Sequence, residues 1–210
     1  MAQAAWAKCG SPKIDEDATI ELRMLTAAAY DIHVDQLLEK MRRFHAALSA
    51  VGIPYRIIGG LAVFIHVFEK DPLKARLTSD VDAAVNRSDL SRIKAAAETA
   101  GLRFRHVAGV DMLVDQEKPQ ARSAVHLVFV NEKVRTEYLE PVPASEPVRT
   151  KEGILIAPVA DLVRMKLTSF RLKDKVHIQD LDGVGLITPE IEQSLSEPLR
   201  QRLAEVRATE

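Results

Sequence analysis

Two pieces of the chain have residue types and spacing suited to chemistry on a phosphate ester. The first is Gly59-Gly60, which closes a short β-favouring run and precedes a helical one. Glycines at such a turn let a ligand approach the backbone, and the unsatisfied N–H groups of a new helix can hold phosphate oxygens. The second is Asp80-Val81-Asp82, following Arg76-Leu77-Thr78-Ser79. Carboxylates at i and i+2 on a strand share a face, where they can hold a hard divalent cation. The two halves are complementary, because magnesium bridges phosphates to carboxylates. Taken singly, a Gly-Gly pair is more often only a turn. Asp-x-Asp is also expected by chance in a chain with 30 acidic residues, so the argument lies in their order.

The elements that must position these residues follow from hydrophobic periodicity. Between Val34 and Val51, Leu37, Leu38, Met41, Phe44, Ala47, Leu48 and Val51 recur at three and four, predicting an amphipathic helix that Gly52-Ile53-Pro54 stops. Tyr55 to Ile58 reads as a strand, and Leu61 to Phe68 as a buried helix begun directly after the glycines. Residues 70 to 79 read as a loop and Val81 to Val85 as a strand. Asn86 and Ser88 are candidate caps for a helix over Asp89 to Ala100, closed by Gly101. Further strands are expected at Leu102 to Val107, Met112 to Val114, Ser123 to Val130 and Ile154 to Ile156. Pro141, Pro143 and Pro147 make Glu140 to Val148 a connecting loop. Asp161 to Leu172 predicts a helix that Lys173 to Leu181 continues or restarts, and Glu190 to Val206 predicts a last one.

Composition sets the frame. The length supports one sizeable core, and residues 1 to 17 read as a flexible arm before a single domain over 18 to 210. A formal net charge of -1 gives no global field towards nucleic acid or an anionic membrane. The single cysteine, Cys9, excludes an intramolecular disulfide and fits a reducing compartment. The longest apolar stretch, Ile57 to Phe68, is too short and too interrupted to span a bilayer. No secretory signal, Walker loop, Gly-x-Ser-x-Gly elbow or dinucleotide fingerprint is present, so a cytoplasmic, membrane-free protein is expected. His33, His45 and His66 lack partners at metal-ligand spacing.

The ordered set of strand, Gly59-Gly60, helix and Asp80-Val81-Asp82 resembles the nucleotidyltransferase superfamily. Met165-Lys166-Leu167 and Arg171-Leu172-Lys173-Asp174, with Asp180-Leu181 beyond, look like the lysine-bearing helix and Lys-Asp signature of the abortive-infection, AbiEii-like group. The resemblance covers about residues 34 to 185. It implies an α/β (α+β) fold with a mixed sheet flanked by helices and a C-terminal helical segment.

For the site, the resemblance implies that Asp80 and Asp82 ligate Mg2+ (or Mn2+), that Gly59, Gly60 and Ser79 line the phosphates, and that Lys166 neutralises triphosphate charge. The implied substrate is a nucleoside triphosphate, and the implied reaction transfers a nucleoside monophosphate to a hydroxyl of RNA, protein or a small molecule. From the residues alone, Lys166 reads equally as a solvated lysine on an amphipathic helix, and Arg171, Lys173 and Asp174 as a surface salt-bridge group.

Two departures from the pattern stand out. A third carboxylate is expected where Val125-His126-Leu127 stands, and another acid where His177 stands. His126 has two readings, a general base for an acceptor hydroxyl or a hydrogen-bonded strand histidine. Asp111 is a candidate replacement acid, and also an ordinary turn aspartate. Loss of the third acid opens the alternative of a catalytically silent nucleotide-binding module, and the apolar faces of the terminal helices that of a toxin–antitoxin component working through a protein partner.

Overall fold

The computed structural model describes residues 34–78, 80–117, 119 and 124–209. The chain divides into Met1–Asp35 and Gln36–Glu210, and all that follows except Val34 and Asp35 belongs to the second unit. The arm expected at residues 1 to 17 and the proposed phosphate contact Ser79 lie outside the described residues.

Helix α1 covers residues 34–50. Its Leu37, Met41, Phe44 and Leu48 are buried, as their spacing requires, whereas Val51 has left the helix and is exposed. Burying each such side chain contributes about 1.5–3 kcal/mol. Phe44 packs edge-on against Tyr55 at 5.2 Å between ring centroids, and the Tyr55 hydroxyl meets His45 Nδ1 at 2.5 Å and accepts from the Leu155 N–H. Three separate elements are thereby tied at one phenol.

Strand β1 (Tyr55–Ile58) runs directly into α2 (Gly59–Lys70). Both glycines fall within α2 rather than in a turn before it, and Gly59, its first residue, makes the change of direction at φ +71°, a left-handed conformation a side chain would resist. After a loop come β2 (Val81–Val85), a 3-10 turn at Arg87–Asp89 and α3 (Leu90–Thr99). Asn86 caps through no backbone bond; its amide donates to Asp89 Oδ2 instead. The hairpin of β3 (Leu102–Val107) and β4 (Val110–Asp115) turns on Ala108-Gly109, both at positive φ, as a two-residue hairpin loop demands. Then follow β5 (Val125–Phe129), β6 (Val148–Arg149) and β7 (Leu155–Ile156).

These strands form one mixed sheet in the order β3-β4-β5-β2-β1-β7-β6. β2 lies near its centre, antiparallel to β1 and parallel to β5. Four of its five residues are buried and the exception is Asp82. A carboxylate kept half-open on a central strand needs a reason beyond packing.

Helices α4 (Val159–Ser169) and α5 (Leu172–Gly183) restart rather than continue, broken where Phe170 turns left-handed at φ 50°. The last helical segment is also two, α6 (Pro189–Ser194) and α7 (Glu197–Arg207). Pro198 has no N–H to return to the Ser194 carbonyl, which accepts from Arg164 instead. Among the described residues no helix is long and apolar enough to cross a membrane. The expected class, a mixed sheet flanked by helices with a helical C-terminal segment, is what the chain forms.

Candidate functional site

The start of α2 abuts β2. A Cβ built on Gly59 would overlap Asp82 Oδ2 and stand 2.9 Å from its Cγ; one on Gly60 would stand 2.7 Å from Thr78 Oγ1 and 3.4 Å from His177 Cε1. The carboxylate of Asp82 therefore rests against backbone that only glycine leaves clear. The N-cap, Ile58, supplies no side-chain hydrogen bond, leaving the first N–H groups of α2 without side-chain capping.

Asp80 precedes β2 by one residue and borders the same two hollows as Asp82. Its carboxylate has no hydrogen-bond or ion-pair partner among the described residues. The loop that carries it is strapped to α5 by Arg76, which pairs with the buried Asp180 carboxylate at 2.9 Å, and by Lys74, which donates to the Gly183 carbonyl. Burial raises the pKa of Asp180, against the Arg76 charge that lowers it.

β5 brings His126 directly opposite Asp82, with Nδ1 3.3 Å from Asp82 Oδ1. Its pKa is raised, chiefly by this hydrogen bond and against the effect of burial; the Asp82 and Asp80 charges add to the rise. A raised pKa favours the protonated imidazole over the neutral form that a general base needs. Asp111 borders the same larger hollow but is no strand partner of His126. It stands opposite Leu127 while Met112 stands opposite His126, and its carboxylate meets His106 Nδ1 at 2.6 Å.

On the other flank is α4. Lys166 is buried, with 7% of its side chain exposed, and donates to Asp174 Oδ1 at 3.2 Å. Asp174, fully buried, also accepts from Ser169 Oγ, the Arg171 backbone N–H and the Arg171 guanidinium. Burial alone would push the Asp174 pKa up, but the Arg171 bond, the Lys166 charge and Ser169 together hold it at about 2. The Lys166 pKa is lowered by burial, with the charges of Asp174 and Asp82 opposing the drop. Lys166 is not the solvated lysine of one reading, and the salt-bridge group is present only in part, since the half-exposed Arg171 pairs with a buried Asp174 and no ion pair to Lys173 is seen among the described residues. Lys166, Asp174 and Arg171 form a charge network beside the site, buried at the first two and reaching solvent at Arg171.

His177, noted in the sequence only as a departure, faces the smaller hollow together with Gly60, Thr78, Asp80, Asp82 and Lys173. Its Nδ1 is buried without a hydrogen-bond partner among the described residues. Burial first, then the Lys166 charge, lowers its pKa to about 4, so the ring is neutral at pH 7. Lys173 borders both hollows. His45 meets the Tyr55 hydroxyl and His66 the Ala157 carbonyl.

The larger hollow has a volume of about 700 Å³ and extends from Asp80, Asp82 and Gly59 to Tyr138 and Arg135. It is large enough for a nucleotide and part of a second substrate. Among the described residues no three His, Cys, Asp or Glu side chains form a ready metal cage. Two carboxylates completed by phosphate oxygens and water are nonetheless the usual setting for magnesium, so Asp80 and Asp82 suit it.

No family model and no curated protein matches the sequence. Solved structures do match it. An antigenic nucleotidyltransferase-like protein from Paracoccidioides brasiliensis is similar over 83% of this chain and 88% of that one, with TM-score 0.51 and 17% identity. Megavirus polyadenylate synthase is similar over 89% of this chain, which spans only 41% of that protein, with TM-score 0.53 and 12% identity. ANT(2")-Ia in complex with adenylyl-2"-tobramycin matches over 83% and 98% of the two chains, with TM-score 0.47 and 13% identity. The first two likenesses identify the fold as nucleotidyltransferase-like.

Proposed function

We propose that this chain is a divalent-metal-dependent nucleotidyltransferase, moving a nucleoside monophosphate from a nucleoside triphosphate to a hydroxyl acceptor. The observation that carries the reading is the seating of Asp82 against Gly59 at the start of α2, with Asp80 on the same open flank. Phosphate-binding backbone and cation-binding carboxylates are thereby held within one hollow.

In this reading Asp80 and Asp82 hold Mg2+ or Mn2+, which supplies charge neutralisation for the phosphates and for the departing pyrophosphate. Gly59 and Gly60 let phosphate oxygens reach the N–H groups of α2. Ser79, outside the described residues, is a further phosphate contact in this reading. Lys166 and Arg171, both tied to Asp174, supply fixed positive charge beside the phosphates, and Lys173 adds a mobile one. The same Lys166 to Asp174 network supports kinship with the AbiEii-like group.

A second reading is favoured by one observation. His126, its pKa raised by Asp82, stands opposite that carboxylate where a third acid would normally strengthen cation binding. A silent nucleotide-binding module would have this composition. Purified chain with each labelled nucleoside triphosphate, Mg2+ or Mn2+, and RNA, protein and small-molecule hydroxyl acceptors separates the two. Transfer or pyrophosphate release that Asp80→Asn abolishes supports the enzyme. Nucleotide binding without turnover supports the silent module, and identical behaviour of wild type and Asp80→Asn defeats the transferase.

A further inference from the structure

The parallel pairing of β2 with β5 sets a nitrogen beside the carboxylate that the proposed reaction assigns to the cation. We propose that His126 is itself a ligand of that cation, sharing it with Asp82 through Nδ1, and that this nitrogen makes the site favour a first-row transition ion over magnesium. The inference rests on the metal-dependent reading above and names the residue that sets its metal preference.

The geometry is specific. Asp82 and His126 are direct partners across the two strands, so their side chains leave the sheet on one face. Asp82 Oδ2 is the oxygen set against Gly59, which leaves Oδ1 as the one facing His126. The Nδ1 to Oδ1 separation of 3.3 Å is long for a charged pair in direct contact, which closes to about 2.7–2.9 Å. It is close to the spacing of two adjacent ligands on one octahedral ion, roughly 3 Å for bonds of about 2.1 Å at right angles.

Access and donor type agree with this geometry. The side chains of His126 and Asp82 are 26% and 32% exposed, so an ion can reach both. Asp80 borders the same hollows without completing a three-ligand group among the described residues, so Asp82 and His126 are the protein ligands set side by side, and phosphate oxygens and water fill remaining positions. Magnesium takes oxygen ligands almost exclusively, whereas imidazole nitrogen raises the affinity of iron, cobalt, zinc and, more weakly, manganese. Binding replaces the proton on Nδ1 with the cation, and that proton leaves to solvent.

The test uses the whole chain and Mn2+, whose electron spin reports a nitrogen ligand directly. Pulsed paramagnetic resonance of the Mn2+-loaded wild type should show coupling to a coordinated imidazole nitrogen, absent in His126→Gln. Calorimetry should show the Mn2+ to Mg2+ affinity ratio falling about tenfold in His126→Asp, a variant that keeps a ligand at the position. Thermal melts establish that each variant is folded.

Two outcomes overturn the inference while leaving the metal-dependent reading standing. One is Mn2+ binding that Asp82→Asn abolishes but that carries no nitrogen coupling; the other is coupling that survives in His126→Gln with an unchanged metal ratio. Failure of the wild type to bind Mn2+ or Mg2+, with or without a non-hydrolysable nucleoside triphosphate, overturns both.

Discussion

Gly59 and Asp82 occupy space that two side chains could not share. The carboxylate of Asp82 lies where a Cβ of residue 59 would be, and Gly59 holds φ +71° at the first position of α2. Gly59→Ala therefore meets two penalties, a left-handed conformation and a displaced carboxylate. The expected cost is about 1–3 kcal/mol by urea unfolding, together with loss of cation and nucleotide binding by calorimetry. Gly52→Ala is the control, since its φ is +63° but its Cβ would meet nothing within 4 Å. If Gly52→Ala also abolishes binding, the close approach at Gly59 is not the cause.

Asp174 gathers Lys166, Arg171 and Ser169 around one buried carboxylate, and Asp174→Asn should leave Lys166 buried without a counter-charge. A loss of about 3 kcal/mol is expected in chemical denaturation, and a Lys166→Met, Asp174→Asn double variant should recover part of it. The wild-type contribution of Asp174 has a defined sign. Its folded pKa of about 2 lies below its ordinary 3.8, so its stabilisation is complete above 3.8 and is lost as pH falls towards 2. A double variant no more stable than Asp174→Asn would show that the stranded lysine is not what the single change costs.

How much of this could be read from residues depends on whether the partners are local. The α1 stripe from Leu37 to Leu48, the run from Tyr55 into the glycines and the i, i+2 spacing of Asp80 and Asp82 are all short-range, and each reappears in the fold. The Lys166 to Asp174 bond was not legible. In an unbroken helix those residues would be separated by about 12 Å along the axis, and only the left-handed turn at Phe170, a residue with no preference for it, folds one back on the other. Opposition of Asp82 and His126 depends on strand order, which no local pattern encodes. The break between α6 and α7 was missed by the single helix expected over Glu190 to Val206, although Pro198 inside it was a local signal for one.

His177 predicts a pH dependence. Its folded pKa of about 4 is below the ordinary 6.5, so the unfolded chain takes up a proton that the folded chain refuses. Stability should fall as pH drops from about 6.5 to about 4, by ~1 kcal/mol once solvent screening of this half-buried ring is allowed for. His126, raised by Asp82, acts in the opposite direction, with stabilisation lost as pH rises above 6.5. The comparison therefore needs His177→Gln rather than the wild type alone. Urea midpoints between pH 7 and 4.5 should fall less steeply in the variant, and parallel curves would reject the assignment.

Asp80 should show opposite responses of stability and activity. Its carboxylate borders the same hollows as Asp82 and has no hydrogen-bond or ion-pair partner among the described residues, so its weak attraction to Lys40 and His126 is set against repulsion from Asp82 and the fold gains little from its charge. Asp80→Asn should leave the melting temperature unchanged or raise it, within about 0.5 kcal/mol. Transfer activity should fall on the order of 10²-fold or more, since loss of a direct cation ligand exceeds the usual effect of losing a group behind one. Asp82→Asn removes an oxygen from the same cation but also disturbs the contact with His126 and the seat on Gly59, so it should lose stability as well. Thermal melts of the two variants separate these cases. Equal destabilisation by both would mean that Asp80 holds the fold together and is not kept for a ligand.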